Sequence, residues 1–171
     1  MPNEKSFLTR SDSIRNFILI TIVFILSLPL FALTEKEYYM ILIIGKAYNI
    51  PFSITSQLMI EESSCDELQD GQIVNGYKAK GLFQIYTEPK NYNYLLWKYW
   101  NTNTVFDIYN PIYNSIVSLH YLSDLHKRFG NWKHALYYYN CGYINNVPNS
   151  TRKFAKRITN ASYKTYKDLF R

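Results

Sequence analysis

The chain has 171 residues, 47% of them apolar, with 17 Tyr, 10 Phe and 3 Trp, a formal net charge of +6 and two cysteines. This length and apolar share fit one compact domain and exclude a collagen-like repeat, a long disordered tail, a disulfide-dense mini-protein and a multidomain assembly. The charge is uneven, since residues 33–147 carry −1 and residues 148–171 carry +6, so a basic tail, solvated or facing an anionic surface, follows a nearly neutral body.

In chain order, Arg10 and Arg15 precede an unbroken apolar run from Phe17 to Leu33, which gives way to the charged stretch Thr34-Glu-Lys-Glu37. The run is short for a membrane span, which takes about 20 helical residues, and its basic flank with Pro29 and Ala32 near the end fits an export signal. Residues 1–33 are therefore expected to be a signal peptide or a membrane anchor, with the basic side left in the cytoplasm in either case. Residues 34–171 form the exported domain, which meets a membrane only through that segment if it stays uncleaved. In an oxidising compartment Cys65 and Cys141 could form a disulfide. Pairing would enclose 75 residues and stabilise the fold by about 4–5 kcal/mol in chain-entropy terms; the alternative is two buried thiols.

Beyond Thr34 the apolar spacing is helical. Helices are predicted over residues 35–48, 53–63 after the break at Pro51, 91–100, 114–129, 132–139 and 151–171, with Ser53 as the N-cap of the second. Within the longest, Ile116, Leu119, Leu122 and Leu125 recur at three-residue steps, which marks a core helix. Residues 65–81 hold Gly71, Gly76 and Gly81 among polar residues and read as a loop or small hairpin. The fold class is therefore all-α, with one small loop or hairpin lobe.

Two carboxylates, Glu61 and Glu62, close the otherwise apolar second helix. At about 100° per residue they flank the Ile54/Leu58 face on opposite sides, so periodicity does not choose between them. One of them is expected to project toward an apolar or cleft-facing surface, where desolvation raises a carboxyl toward the range of a general acid. Acids at a helix C-terminus also oppose the macrodipole, which is a small cost in need of a purpose.

Four segments then occur in order: Ile60-Glu-Glu-Ser63, Gly81-Leu-Phe-Gln-Ile85, Asn110-Pro-Ile-Tyr-Asn114 with Tyr121-Leu122, and Ala135-Leu-Tyr-Tyr-Tyr-Asn-Cys-Gly142. Together they resemble the soluble lytic transglycosylase family, whose domain is goose-type-lysozyme-like. The resemblance spans about residues 48–158. It implies a lysozyme-like helical fold acting on peptidoglycan glycan strands in the periplasm or cell envelope of a bacterium, and within the family it looks like the small type associated with secretion or conjugation machinery. Carried across residue by residue, it implies Glu62 as the catalytic acid. Ser63, Phe83, Gln84, Tyr139 and Asn140 are then substrate-binding neighbours. Where the family often has Met, Gly and Ala, this chain has Phe83, Ser118 and Cys141, which bears on substrate preference more than on chemistry. Family chemistry needs one carboxyl, acting first as acid and then as base, and yields a 1,6-anhydro sugar.

Competing readings rest on other residues. Asp66, Glu67, Asp70 and Asp107 are candidates for the second carboxylate that would make the chain a hydrolase of the lysozyme kind. A non-catalytic peptidoglycan-binding or assembly factor would keep the cleft without using Glu62. His120, His126 and His134 form no metal-ligand spacing, and no glycine-rich phosphate loop occurs, so no cofactor or metal is expected. Nucleic acid is not expected either, since net charge alone favours it. Trp97, Trp100 and Trp132 could stack on sugars or lie in the core.

Overall fold

The structure is a computed structural model that describes residues 33–170 except 101 and 103. The expected export segment, residues 1–33, lies outside the described residues except for Leu33. Helix α1, Glu35–Ala47, starts at a capping box in which Thr34 accepts from Glu37 N while the Glu37 carboxylate accepts from Thr34 N. This pairing satisfies two amides left over at the first turn. Its inner face carries Tyr38, Ile41 and Leu42, and the Tyr38 hydroxyl donates to Lys164 O from the far end of the chain.

Helix α2, Phe52–Ser63, begins directly after Pro51, with no side-chain cap. The predicted cap at Ser53 is thus corrected: proline's fixed φ already preorganises the chain for helix entry, so the first turn starts ahead of the serine. The helix ends where Ser64 and Cys65 adopt left-handed φ values of 56° and 65°, which turns the chain away just beyond the two glutamates.

Residues 70–86 form a three-stranded antiparallel sheet in the order β1 Asp70–Val74, β2 Tyr77–Lys80 and β3 Ile85–Tyr86. Asn75 and Gly76, both at positive φ, make the two-residue turn that suits the twist of a hairpin. Three helices follow: α3, Pro89–Tyr99; α4, Pro111–Phe129; and α5, Trp132–Cys141. Asn110 caps α4 by accepting from Ile112 N and Tyr113 N, and Asn131 caps α5 by accepting from His134 N. The basic end was predicted as one helix over 151–171. It is instead α6, Asn149–Thr159, followed after a break by the short α7, Tyr166–Leu169. Across the interruption at residues 160–165 the positions that would continue the buried stripe of Thr151, Phe154, Ala155 and Ile158 hold only the small or polar Ala161, Ser162 and Thr165.

Helix α4 runs through the centre and packs against α1, α3 and α5. Leu119, Leu122 and Leu125 enter the main core with Ile41, Leu58, Met59, Leu82, Phe83 and Leu136. Each fully buried side chain of this size contributes roughly 1.5–3 kcal/mol. Ile116 packs instead against a second, smaller cluster of Ile85, Tyr99, Trp100 and Val117 that joins the sheet to α3 and α4. Of the three tryptophans, Trp100 is buried and Trp132 half-buried, while Trp97 is 76% exposed.

Candidate active site

The C-terminal turn of α2 presents Glu61 and Glu62 to different surroundings. Arg157 on α6 grips Glu61, its Nε donating to Oε1 and Oε2 at 2.8 Å each and a terminal nitrogen donating to Oε2 at 2.6 Å. Gln57, one turn earlier, donates to Oε1 at 3.1 Å. Hydrogen bonds from the Arg157 guanidinium, with a lesser contribution from Gln57, hold the Glu61 carboxyl below the usual range despite partial burial. Glu61 is thereby a fixed anion, 12% exposed in its side chain.

Glu62 makes no hydrogen bond or ion pair with any of the described residues. It is half-buried, and the protein around its carboxyl, with the charge of Glu61 adding, pushes it up to about 8. Such a carboxyl is protonated at neutral pH and ionises within reach of it, which is the property needed of a group that must both give and take a proton. Between two neighbours that the helical period left equivalent, a cation brought from 96 residues away makes the distinction.

Tyr139 of α5 is near enough to this carboxyl to feel its charge. Burial, followed by the negative charge of Glu62, raises its phenol well above the ordinary range, so it stays protonated. It donates to Phe83 O at 2.9 Å, leaving its oxygen able to accept from a protonated Glu62 or from a substrate. The turn that offers this carbonyl is itself latched to α4. Asn114, fully buried, accepts from Phe83 N at 2.9 Å and donates to Ile108 O at 2.8 Å and Lys80 O at 3.3 Å. Gly81, at φ 76°, sits so close to Asn114 and Ile108 O that a Cβ would overlap both. The Glu62 wall thus rests on a chain of contacts from α5 through the 81–84 turn to the start of α4.

The other sequence-derived neighbours divide. Gln84 is half-buried beside the turn, with its amide donating to Gly81 O at 2.9 Å and Gln69 O at 3.0 Å, so it braces the hairpin lobe. Asn140 is exposed and accepts from the Thr151 hydroxyl at 2.6 Å, which ties α5 to α6 and leaves its amide NH2 free for a ligand. Two expectations need correction. Phe83 is fully buried, so its ring packs in the core and only its backbone belongs to the site. Ser63 is also buried, and its hydroxyl donates to Met59 O within its own helix, so it is turned from any sugar. The cysteines are not joined: Cys65 is packed in the core, where burial pushes its thiol up to about 12, while the Cys141 Sγ–H lies 3.2 Å from Tyr137 O.

Three of the four acids considered as a second carboxylate, Asp66, Asp70 and Asp107, are committed elsewhere. Asp70 pairs with Lys78 at 3.0 Å and accepts from the Tyr109 hydroxyl at 2.7 Å, which holds it below the usual range. Asp66 and Asp107 accept from amides two residues ahead. Glu67 is half-buried, its carboxyl pushed up by burial with the charges of Asp66 and then Glu37 adding, and its Oε2 is buried without a hydrogen-bond partner among the described residues.

Two residues of the site, Arg157 and Asn114, were given no role by the sequence reading. Arg157 lies far along the chain, in a tail whose charge reads as solvated. Asn114 was part of a matched motif without a role, and its spacing of four from the cap Asn110 was the available signal. Ser118, already noted as a departure from the family, is buried on the core face of α4 beside Tyr139.

A family model described as "Transglycosylase SLT domain" matches residues 40–162, which runs from within α1 to beyond the end of α6 and takes in every residue of the site described above. Comparison with curated proteins and with solved structures finds no match for the chain.

Proposed function

The chain belongs to the transglycosylase SLT family, and from that premise we propose that it cleaves the bond between MurNAc C1 and the GlcNAc oxygen with Glu62 as its single acid and base. Membership supports lytic activity on peptidoglycan in general; the observation that carries the finer reading is the contrast between a neutral-capable, unpaired Glu62 and a clamped Glu61. Protonated Glu62 gives its proton to the glycosidic oxygen as the C1–O bond breaks. The resulting carboxylate then takes the proton of the C6 hydroxyl while O6 closes on C1. The products are a 1,6-anhydro-MurNAc end and a free GlcNAc hydroxyl, Glu62 is again protonated, and no water is consumed.

Tyr139 and Asn140 contribute by position. Tyr139, held by Phe83 O, keeps a neutral hydroxyl beside the acid, and Asn140 offers its amide at the end of the same helix. The hydrolase alternative is disfavoured for Asp66, Asp70 and Asp107, which already hold partners within the fold; Glu67, whose Oε2 is buried and unpartnered among the described residues, is the acid through which it would have to run. The reading extends to an exported enzyme working in the cell envelope, alone or beside secretion or conjugation machinery, with residues 1–33 as signal or anchor.

Mass spectrometry of purified sacculi after digestion tests the chemistry. Anhydro ends are expected from the wild-type protein and none above background from E62Q. Reducing ends would establish the hydrolase, absence of soluble products the binding role, and wild-type rates from E62Q would remove Glu62 as the acid.

A further inference from the structure

Between Asp124 and Asp168 the chain contains no acidic residue and nine Lys or Arg. Two of these cations have carboxylate partners, Lys127 with Asp124 and Arg157 with Glu61. Three others converge on one concavity. Helices α5 and α6 leave between them a cavity of about 410 Å³ lined by Lys133, Tyr137, Arg152, Lys156, Thr159 and Asn160, a size within the range of roughly 300–1,000 Å³ usual for small-molecule sites.

The lining is arranged rather than scattered. Lys133 and Tyr137 are one turn apart on α5, with the ammonium 5.8 Å from the ring centre. Arg152 and Lys156 are one turn apart on α6, and Arg152 is fixed at its base because its Nε donates to Val147 O at 3.0 Å. That bond leaves the terminal guanidinium nitrogens to point elsewhere. None of the three cations has a carboxylate partner among the described residues, and neither α5 nor α6 contains an acid that could supply one. Three like charges around one open space repel one another and favour a multiply charged counter-ion there over a single carboxylate. A guanidinium, two ammonium groups, a hydroxyl and an amide are donors that suit the several oxygens of a phosphate.

We propose that the α5–α6 cavity is a phosphate-binding site, separate from the catalytic cleft. Tyr137 and Tyr139 are two residues apart on one helix, which at about 100° per residue sets them on nearly opposite sides of it. A ligand beside Tyr137 therefore sits behind α5 as seen from Glu62. The phosphate belongs either to a free small molecule or to a phosphodiester of the envelope, a polyol-phosphate polymer or a phospholipid headgroup. Binding there holds the enzyme to an anionic matrix while leaving the cleft open to a glycan strand.

Nuclear magnetic resonance titration of the full chain in neutral detergent, with inorganic phosphate as the probe and sodium chloride at matched ionic strength as the control, tests the site without reference to catalysis. Saturable shifts confined to α5 and α6 are expected with phosphate and not with chloride. The triple variant K133Q/R152Q/K156Q should weaken phosphate binding at least tenfold, whereas K36Q/K90Q/K167Q, which removes the same charge elsewhere, should change it less than twofold. Poly(glycerol phosphate) and glycerophosphoglycerol, as competitors, distinguish wall polymer from lipid headgroup by whichever displaces phosphate at lower concentration; displacement by neither assigns the site to free phosphate. Shifts that fail to saturate, equal shifts with chloride, or equal loss in the two triple variants would overturn the proposal. The first triple variant is expected to keep the wild-type rate of glycan cleavage at low salt, so loss of phosphate binding and loss of catalysis are read apart.

Discussion

Removing either member of the Arg157–Glu61 pair should move the pH profile of glycan cleavage, and the two removals should move it in opposite directions. In the wild-type protein the charge of Glu61 raises the Glu62 carboxyl, and Arg157, bound to Glu61, opposes part of that field. Arg157→Gln leaves the Glu61 carboxylate uncompensated. At a separation of about 7 Å and an effective dielectric constant of about 40, suited to a site open to solvent on one side, that charge raises the cost of ionising Glu62 by about 1.2 kcal/mol, or ~0.9 pH unit. Because protonated Glu62 performs the first step, activity falls as pH rises through its pKa, and the midpoint of that fall starts near 8. R157Q should shift it upward, and E61Q, which leaves the Arg157 cation without its anion, should shift it downward by a similar amount. The double variant E61Q/R157Q, which lacks both charges, should fall between the two single variants. Initial rates of soluble product release from purified sacculi between pH 5 and pH 10, with each enzyme checked for reversible recovery at neutral pH, measure the midpoints. R157K preserves the charge while losing the two-pronged grip, so it should lower the melting temperature more than it moves the midpoint. Identical midpoints in R157Q and E61Q, or shifts of the same sign, would refute the electrostatic reasoning.

Three further outcomes follow from the same geometry. The raised carboxyl of Glu62 means that the folded state holds a proton there which the unfolded chain releases near pH 4.5; stability therefore falls as pH rises from about 4.5 to 8 and levels off above that. E62Q removes this cost, so thermal unfolding should show it gaining on the wild type across that interval, by on the order of a few kcal/mol at pH 8, and a constant difference at all pH values would contradict the burial of the carboxyl. N114A strands Phe83 N and two carbonyls, and it should cost about 2–4 kcal/mol by denaturant unfolding, while G81A, which combines strain at positive φ with overlap against Asn114, should cost at least as much; a loss under about 0.5 kcal/mol in both would dissolve the proposed latch. Y139F leaves Phe83 O without its donor, at a cost of about 1–2 kcal/mol, and should lower kcat more than it raises KM in sacculus digestion, since its hydroxyl serves the acid rather than the hold on the strand.

How far the sequence led depended on how local the determining interaction is. The capping box at Thr34 and Glu37, the cap at Asn110 and the Asn75-Gly76 turn are each settled within a few residues, and the elements they bound lie close to where the pattern put them. Ser53 has the chemistry of a cap, but a proline two positions earlier had already set the helix entry. The C-terminal segment looked continuous because its basic residues hide the loss of an apolar stripe; Thr165 and Asp168 then restart a helix with a capping box of their own. Phe83 and Ser63 were read as sugar contacts because they adjoin motif residues, yet adjacency in a turn or a helix alternates direction, and both side chains point inward. The pairing of Cys65 with Cys141 was open on spacing alone; the packing that buries one and the helix carbonyl that engages the other are products of the tertiary structure.

The same distinction separates the two glutamates, and it also redistributes the charge of the tail. An excess of +6 after residue 147 reads as one property, but the structure divides it by helix face. On one side of α6, Arg157 reaches 96 residues back to Glu61 and fixes the field in which Glu62 titrates. On another side, Arg152 and Lys156 join Lys133 across the cavity to α5 with no carboxylate partner among the described residues. The buried stripe of Phe154, Ala155 and Ile158 sets the rotation of the helix, and so decides which cation faces which partner. A substitution in that stripe that rolled α6 would disturb the acid–base group and the basic cavity together, whereas removal of individual cations disturbs one and spares the other. Coupling of this kind has no signature in composition, since the net charge is the same in either arrangement.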